Sequence, residues 1–305
     1  MVRISGSFPS HAKPKADNRV NLRISSPRRA TPRKLGVSEA LFKVSTAVLL
    51  VALSAACATS LTNRRQVLLY SEAEMVRQGE GAYRQMQSEL PMSSDPREIT
   101  YVQCVADHVI AALEPTQQAA YRWEVTVFDS PQANAFALPG GKIGIYTGLF
   151  DVAYNQDQLA AVMAHEVGHV LAKHGNERAS RSALRRVGIA AARVLGASNN
   201  TIQAIDFGTQ LGLQLPFGRA QESEADAIGL MLLARAGFDP EQSVVLWENM
   251  NSVPGQRTPE FLATHPFPET RINTLRNLMD QALSARVRAL SRAVVPDCIP
   301  SVTNL

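Results

Sequence analysis

The chain is short of long apolar runs, of cysteine, and of basic charge outside its first 43 residues. Its most apolar uncharged run, residues 44–56, is thirteen residues long, too few to cross a hydrocarbon core of about 30 Å as a helix. Residues 187–215 are also fairly apolar, but Arg193, Asn199, Asn200 and Asp206 interrupt them. No membrane span is therefore expected. Of the 31 Lys and Arg residues, ten lie in residues 1–43 beside only Asp17 and Glu39, so the remainder is mildly acidic although the whole chain carries +4. That remainder has no stripe of positive charge to follow phosphates, and nucleic acid is not expected as a partner. No repeat is visible, which excludes solenoid and propeller folds.

What is present is ordinary globular material: 45% hydrophobic and 19% charged residues in 305, enough for one large domain or two small ones. The basic segment 1–43, the apolar run 44–56 and the small residues after it have the layout of a secretory signal. The stretch Leu53-Ser54-Ala55-Ala56-Cys57 resembles the lipobox of bacterial lipoproteins, with Ser54 where a branched aliphatic is usual. On that resemblance Cys57 is lipidated and anchors the chain to a membrane. The alternative is simple cleavage after Ala56-Cys57-Ala58. With Cys57 so used, Cys104 and Cys298 remain as one pair, and in an oxidising compartment a disulfide is expected; two separate buried thiols are the other outcome. Residues 1–36, rich in Ser, Pro, Arg and Lys, read as disordered. They are long for a signal, so a start near residues 35–37 is a hypothesis that sequencing the precursor's N-terminus tests.

Beyond the lipidation site, residues 57–70 read as a tether, 71–290 as the folded domain and 291–305 as a tail. Helices are predicted over Glu72–Glu89 and residues 96–113; in the second, Val102, Val105, Val109 and Leu113 recur at helical spacing. Strands are predicted over 123–128, 134–138 and Lys142–Tyr146, the last after a Pro139-Gly140-Gly141 turn. From residue 155 onward the pattern is helical: 156–174, 183–195, 221–235, 240–250 and 269–288.

The chemistry begins at His165-Glu166-Val167-Gly168-His169, an H-E-x-x-H pattern inside a predicted helix. Residues four apart share a helix face, so both imidazoles can bind one zinc ion at about 2.0–2.1 Å. Glu166 stands beside them and can take a proton from an attacking water. It also lies among Val162, Met163 and Val170, where a carboxylate is costly unless something compensates it. Two surface histidines on a helix are the bland alternative. A catalytic zinc needs a third protein ligand, and Gln221-Glu222-Ser223-Glu224-Ala225-Asp226 opens another predicted helix with carboxylates on one face. One can bind metal while another holds a ligating imidazole, although acidic first turns also occur simply to complement the helix dipole. Spacing alone does not choose between Glu222 and Glu224.

Together, the H-E-x-x-H motif, Lys173-His174, Arg178 and Glu222-Ser223-Glu224-Ala225-Asp226-Ala227-Ile228-Gly229 resemble the HtpX-like and CAAX-prenyl-protease family of gluzincin metallopeptidases. So do Asn134-Ala135-Phe136-Ala137-Leu138-Pro139-Gly140-Gly141, Ala234-Arg235-Ala236-Gly237-Phe238-Asp239-Pro240, and Thr264-His265-Pro266 with Arg271. The resemblance implies an α+β fold, mostly helical, a zincin-type domain with a small sheet whose edge strand binds substrate; Lys142–Tyr146 is expected to be that edge. It implies one Zn2+ per chain on His165, His169 and Glu222, with Glu166 as general base, Asp226 orienting a ligand and Glu224 outside the ligand set. His265 is expected near the metal, stabilising the oxyanion or capping the zinc in a resting state, with a structural loop histidine as the bland alternative. His174 is expected to be structural, packed with Arg178, and His108 and His11 incidental. Lacking the transmembrane helices of the membrane-embedded members, the chain resembles the soluble exported branch. The expected activity is endopeptidase cleavage of misfolded or misassembled cell-envelope proteins. The expected location is the periplasm, lipid-anchored to a bacterial membrane, outer rather than inner. The rival expectation is a non-proteolytic chaperone or assembly factor that keeps the zinc site as structure, and a third is an enzyme held latent by His265.

Overall fold

In the computed structural model, residues 57–196, 198–199, 218–252, 259–266 and 269–298 are described, all within one compact unit. The segment 1–43 with His11, the apolar run 44–56, the alternative start and the tail from residue 299 lie outside the described residues.

A hairpin comes first: β1 (Cys57–Thr59) pairs antiparallel with β2 (Arg65–Val67), closed by a turn in which Asn63 takes a positive φ of 64°. Here the tether expectation is corrected. The turn is cross-braced by Ser60 N to Arg64 O at 2.9 Å and Arg64 N to Ser60 Oγ at 3.1 Å, and Leu69 N donates to Ser180 Oγ at 2.8 Å. Polar contacts of this kind leave no apolar periodicity for sequence inspection to find.

Helices α1 (Glu72–Glu89) and α2 (Pro96–Ala111) form as predicted, and a short α3 (Pro115–Ala119) follows. Ser71 and Asp95 cap the first two by accepting from Glu74 N and Arg97 N. Val102, Val105 and Val109 are fully buried, each contributing roughly 1.5–3 kcal/mol relative to exposure. The sheet contains β3 (Glu124–Phe128), β4 (Ala135–Leu138) and β5 (Lys142–Tyr146) in the order β3-β5-β4. This overturns the expectation that Lys142–Tyr146 is the edge. It is the central strand, parallel to β3 and antiparallel to β4, and four of its five residues are buried. Among the described residues, the edge strand near the chemistry is β4.

Helix α4 (Gln156–Leu171) carries the H-E-x-x-H residues, and everything from Gln158 to Val170 is buried. Lys173 then adopts φ 58° and ψ 31°, a left-handed conformation costing about 1–2 kcal/mol for a residue with a Cβ. That break splits the predicted 156–174 helix and starts α5 (His174–Val194) nine residues earlier than the predicted 183. The first turns of α5 bury His174, Asn176, Glu177 and Ser180, polar residues that hide the helix from apolar pattern. Helix α6 (Arg219–Arg235) crosses α4 at two glycines. A Cβ on Gly168 would stand 2.9 Å from Ala225 O, and one on Gly229 2.9 Å from the His165 backbone. Only hydrogen fits at either contact, and the resulting closeness sets the α6 carboxylates against the α4 imidazoles. Helices α7 (Gln242–Asn251), α8 (Glu260–Thr264) and α9 (Glu269–Leu290) follow among the described residues. Cys298 Sγ stands at bonding distance from Cys104 Sγ, with Cα atoms 5.7 Å apart, which sets the segment after α9 against α2. Among the described residues, no helix is long and apolar enough to cross a membrane.

Candidate metal centre

Four donor atoms converge from three elements. His165 Nε2 and His169 Nε2, one turn apart on α4, are 3.1 Å from each other. Glu222 Oε1, from the first turn of α6, lies 3.4 Å from His169 Nε2. His265, which ends α8, brings Nδ1 to 3.3 Å from His165 Nε2 and 3.2 Å from Glu222 Oε1. A tetrahedral zinc with ligands at about 2.0–2.1 Å separates its donor atoms by about 3.3–3.4 Å. The donor set therefore fits zinc in size and chemistry, and all four residues are buried.

Charged partners hold this set from behind. Arg271 on α9, 1% exposed, donates Nε and Nη2 to the two Asp226 oxygens at 2.6 Å each. Its Nη1 reaches Glu222 Oε2 at 2.8 Å and the Pro266 carbonyl at 3.0 Å, and its guanidinium lies 4.6 Å over the Trp247 ring. Asp226 Oδ1 in turn stands 3.0 Å from His165 Nδ1. Burial pushes the Asp226 carboxyl upward, but the hydrogen bonds and charge of Arg271, together with those of His165, hold Asp226 below its ordinary value. Burial likewise lowers the His165 imidazole, yet Asp226 and Glu222 together lift it to about 9. Two carboxylates facing one imidazole make the pocket draw a cation. His169, by contrast, is driven well below the usual histidine value by burial and by the neighbouring cations, which favours the neutral form a metal requires.

Glu166 occupies the remaining flank. Its Oε2 accepts the Ala137 N–H of edge strand β4 at 3.1 Å, and its Oε1 faces His265 Nε2 at 3.3 Å. Burial raises its carboxyl above the usual range, against the pull of His265 and His165. A carboxylate in such a position can exchange a proton with a group bound between β4 and the donor set.

The model of Peptidase family M48 matches residues 96–279. The chain belongs to that family. Among curated M48-like relatives, it is 36% identical over 230 residues to the mitochondrial metalloendopeptidase OMA1 of Schizosaccharomyces pombe, covering 73% of this chain and 66% of that protein. To its Saccharomyces cerevisiae counterpart it is 37% identical over 171 residues, 53% of this chain and 48% of that one. To the beta-barrel assembly-enhancing protease of Escherichia coli it is 31% identical over 221 residues, 69% and 45%. The chain thus spans roughly half to two thirds of the length of these relatives. The M48 matches also correct one expectation. OMA1 enzymes named as mitochondrial include the yeast, plant and zebrafish proteins, and a periplasmic location with a lipid anchor in a bacterial membrane does not stand against them. Cys57, the expected lipidation site, opens strand β1 opposite Val67.

Within the M48 match the structure brings His165, Glu166, His169, Glu222, Asp226 and His265 into one site. Glu224, two residues after Glu222, points away from the donor set to His174 Nε2 at 3.2 Å. Beyond the expected packing role, His174 meets the motif itself: its Nδ1 lies 2.9 Å from His169 Nδ1. In a continuous helix a residue five positions on points away from the motif face, so only the left-handed Lys173 brings His174 back. Nothing in the linear sequence marks that turn. The Arg271 clamp was visible as a motif residue, but its two carboxylate partners were not.

Proposed function

We propose that the chain is a zinc metalloendopeptidase that cleaves misfolded or misassembled proteins, with His165, His169 and Glu222 as metal ligands and Glu166 as general base. The observation that carries this reading is the convergence of four buried donor residues beside the buried Glu166 carboxylate, which is bonded to the edge strand β4. Zinc, when bound, supplies a Lewis acid and lowers the pKa of water. Substrate backbone pairs with β4, the edge strand, in the manner of strand addition. Glu166, already bonded to β4 through Ala137 N, takes the proton of the attacking water and returns it to the leaving amine. A cavity lined by Met75, Ala137, Pro139, His169 and Val170 suits an apolar side chain next to the scissile bond. The Lys173–Glu72 pair at 2.8 Å flanks it.

His265 favours a second state of the same enzyme. Its Nδ1 takes the fourth corner and its Nε2 faces the general base, an arrangement that keeps substrate and water out. We read this as a resting form that opens when the α8 end withdraws His265. The Arg- and Ser-rich, acid-poor composition of residues 1–43 is that of a mitochondrial import segment, in keeping with the OMA1 relatives; subcellular fractionation tests it. The Cys104–Cys298 pair is proposed as a disulfide, tested by thiol titration before and after reduction.

Casein cleavage by the purified chain, run with zinc analysis, tests the activity. About one zinc per chain, cleavage abolished by Glu166→Gln with zinc retained, and faster cleavage by His265→Ala are expected. Zinc without cleavage in both the parent and His265→Ala points instead to a chaperone that keeps zinc as structure. Absence of zinc binding sinks the proposal.

A further inference from the structure

We infer that the N-terminal hairpin is a working part of the metal site, with Arg64 a positioning residue for the ligand His169, acting through Glu224 and His174; the inference rests on the zinc reading above. With Nε2 of His169 turned to the donor set, its Nδ1 must carry the proton. That N–H meets His174 Nδ1 at 2.9 Å, so His174 accepts there and carries its own proton on Nε2. His174 Nε2 then donates to Glu224 Oε2 at 3.2 Å. The ring orientation and tautomer of a metal ligand are thereby set by a carboxylate two groups away, with one imidazole between.

Glu224 is held by the hairpin. Arg64 Nε donates to Glu224 Oε2 and Thr62 Oγ1 to Glu224 Oε1, each at 2.8 Å. The other end of the same guanidinium grips Glu177 of α5, Nη1 to Oε1 at 2.9 Å and Nη2 to Oε2 at 2.7 Å. Glu177 also accepts from Gln221 Nε2 of α6 at 2.8 Å. His174, Glu224 and Glu177 are all buried, and the Arg64 side chain is 19% exposed. One planar cation thus bridges carboxylates of α5 and α6, a task suited to the guanidinium fork and unsuited to a lysine point charge. Without it, Glu224 keeps its imidazole partner but loses the charge that fixes its position, and the His174 ring loses its stop.

The test is zinc affinity by chelator competition, together with the visible spectrum of the Co2+-substituted protein, on the full chain. Removal of outer partners typically lowers metal affinity about 10–100-fold. Arg64→Ala and His174→Phe are expected in that range, with altered cobalt band positions and intensities. Arg64→Lys is expected to recover part of the loss. Arg84→Ala, an exposed α1 residue paired with Glu80, serves as the control for general destabilisation. If Arg64→Ala does not fold, Arg64→Lys and Glu224→Gln report the same affinity and spectrum. Parental affinity and cobalt spectrum in the folded variants overturn the inference while leaving the zinc reading intact. A parent chain that binds neither zinc nor cobalt overturns the zinc reading itself.

Discussion

The two histidines of the H-E-x-x-H motif are steadied in different ways. His165 rests directly on Asp226, which the buried Arg271 of α9 clamps with two hydrogen bonds of 2.6 Å. His169 rests on a second imidazole, then on Glu224, then on Arg64 in a hairpin nearer the surface. Both chains end in a guanidinium bound to carboxylates. They differ in length and in burial: the Arg271 side chain is 2% exposed and that of Arg64 19%. A charge that water can reach is worth less than one it cannot, so the His165 side should be the stiffer and the His169 side the more yielding.

The strongest way to break the comparison is to remove the two imidazoles themselves. His165→Ala and His169→Ala should each abolish tight zinc binding and cleavage, erasing any difference between the sides; elemental analysis after dialysis reads this out. Next comes stability. Arg271→Ala strands two buried carboxylates and should cost about 3–5 kcal/mol in denaturant unfolding. Arg64→Ala, partly solvated, should cost less, about 1–3 kcal/mol. Equal costs would mean that burial does not distinguish the two clamps.

A smaller effect should appear with pH. Burial raises the Glu177 carboxyl, but Arg64 and Arg181 overcome it and hold Glu177 below its usual value. A carboxylate with a depressed folded value contributes stability that is complete above its unfolded value and lost as pH falls through the folded one. The Arg64→Ala deficit should therefore be full near pH 7 and shrink below about pH 4.5, where carboxylates protonate. A deficit constant from pH 7 to 3 would separate Arg64 from Glu177. The least effect is expected of Lys173→Gly. It relieves the left-handed strain but adds chain entropy, so stability should change by less than about 1 kcal/mol. Zinc affinity should hold if His174 keeps its place, and a marked fall would show that the Lys173 side chain itself helps to aim His174.

What could be read along the chain follows the reach of local rules. Helix periodicity and caps reveal α1 and α2, turn residues reveal the β4–β5 hairpin, and the four-residue spacing pairs His165 with His169 and Glu222 with Asp226. The apolar surroundings of Glu166 already marked it as a carboxylate in need of a reason. The errors lie where distant parts meet. Strand β5 is central because it inserts between β3, to which it runs parallel, and β4, to which it runs antiparallel, a choice invisible in any one strand's own alternation. The hairpin at 57–67 resembled a tether because its anchors are ion pairs to residues more than a hundred positions away.

The sequence by itself determined the chemical inventory: two imidazoles and a carboxylate on one turn of helix, a second carboxylate pair on another, and the family to which they belong. Those features are set by helical period and residue type, which act over a few residues. Tertiary packing alone set which carboxylate turns to the donor set and which to His174, that His265 joins His165, His169 and Glu222, and that β4 is the edge strand beside them among the described residues. The α4–α6 contact at Gly168 and Gly229 fixes the separation of the two helices. The left-handed Lys173 then turns the chain so that Glu224 and Arg64 stand behind His169 while Asp226 and Arg271 stand behind His165. Close packing and charge pairing act between residues adjacent in space, whatever their distance along the chain.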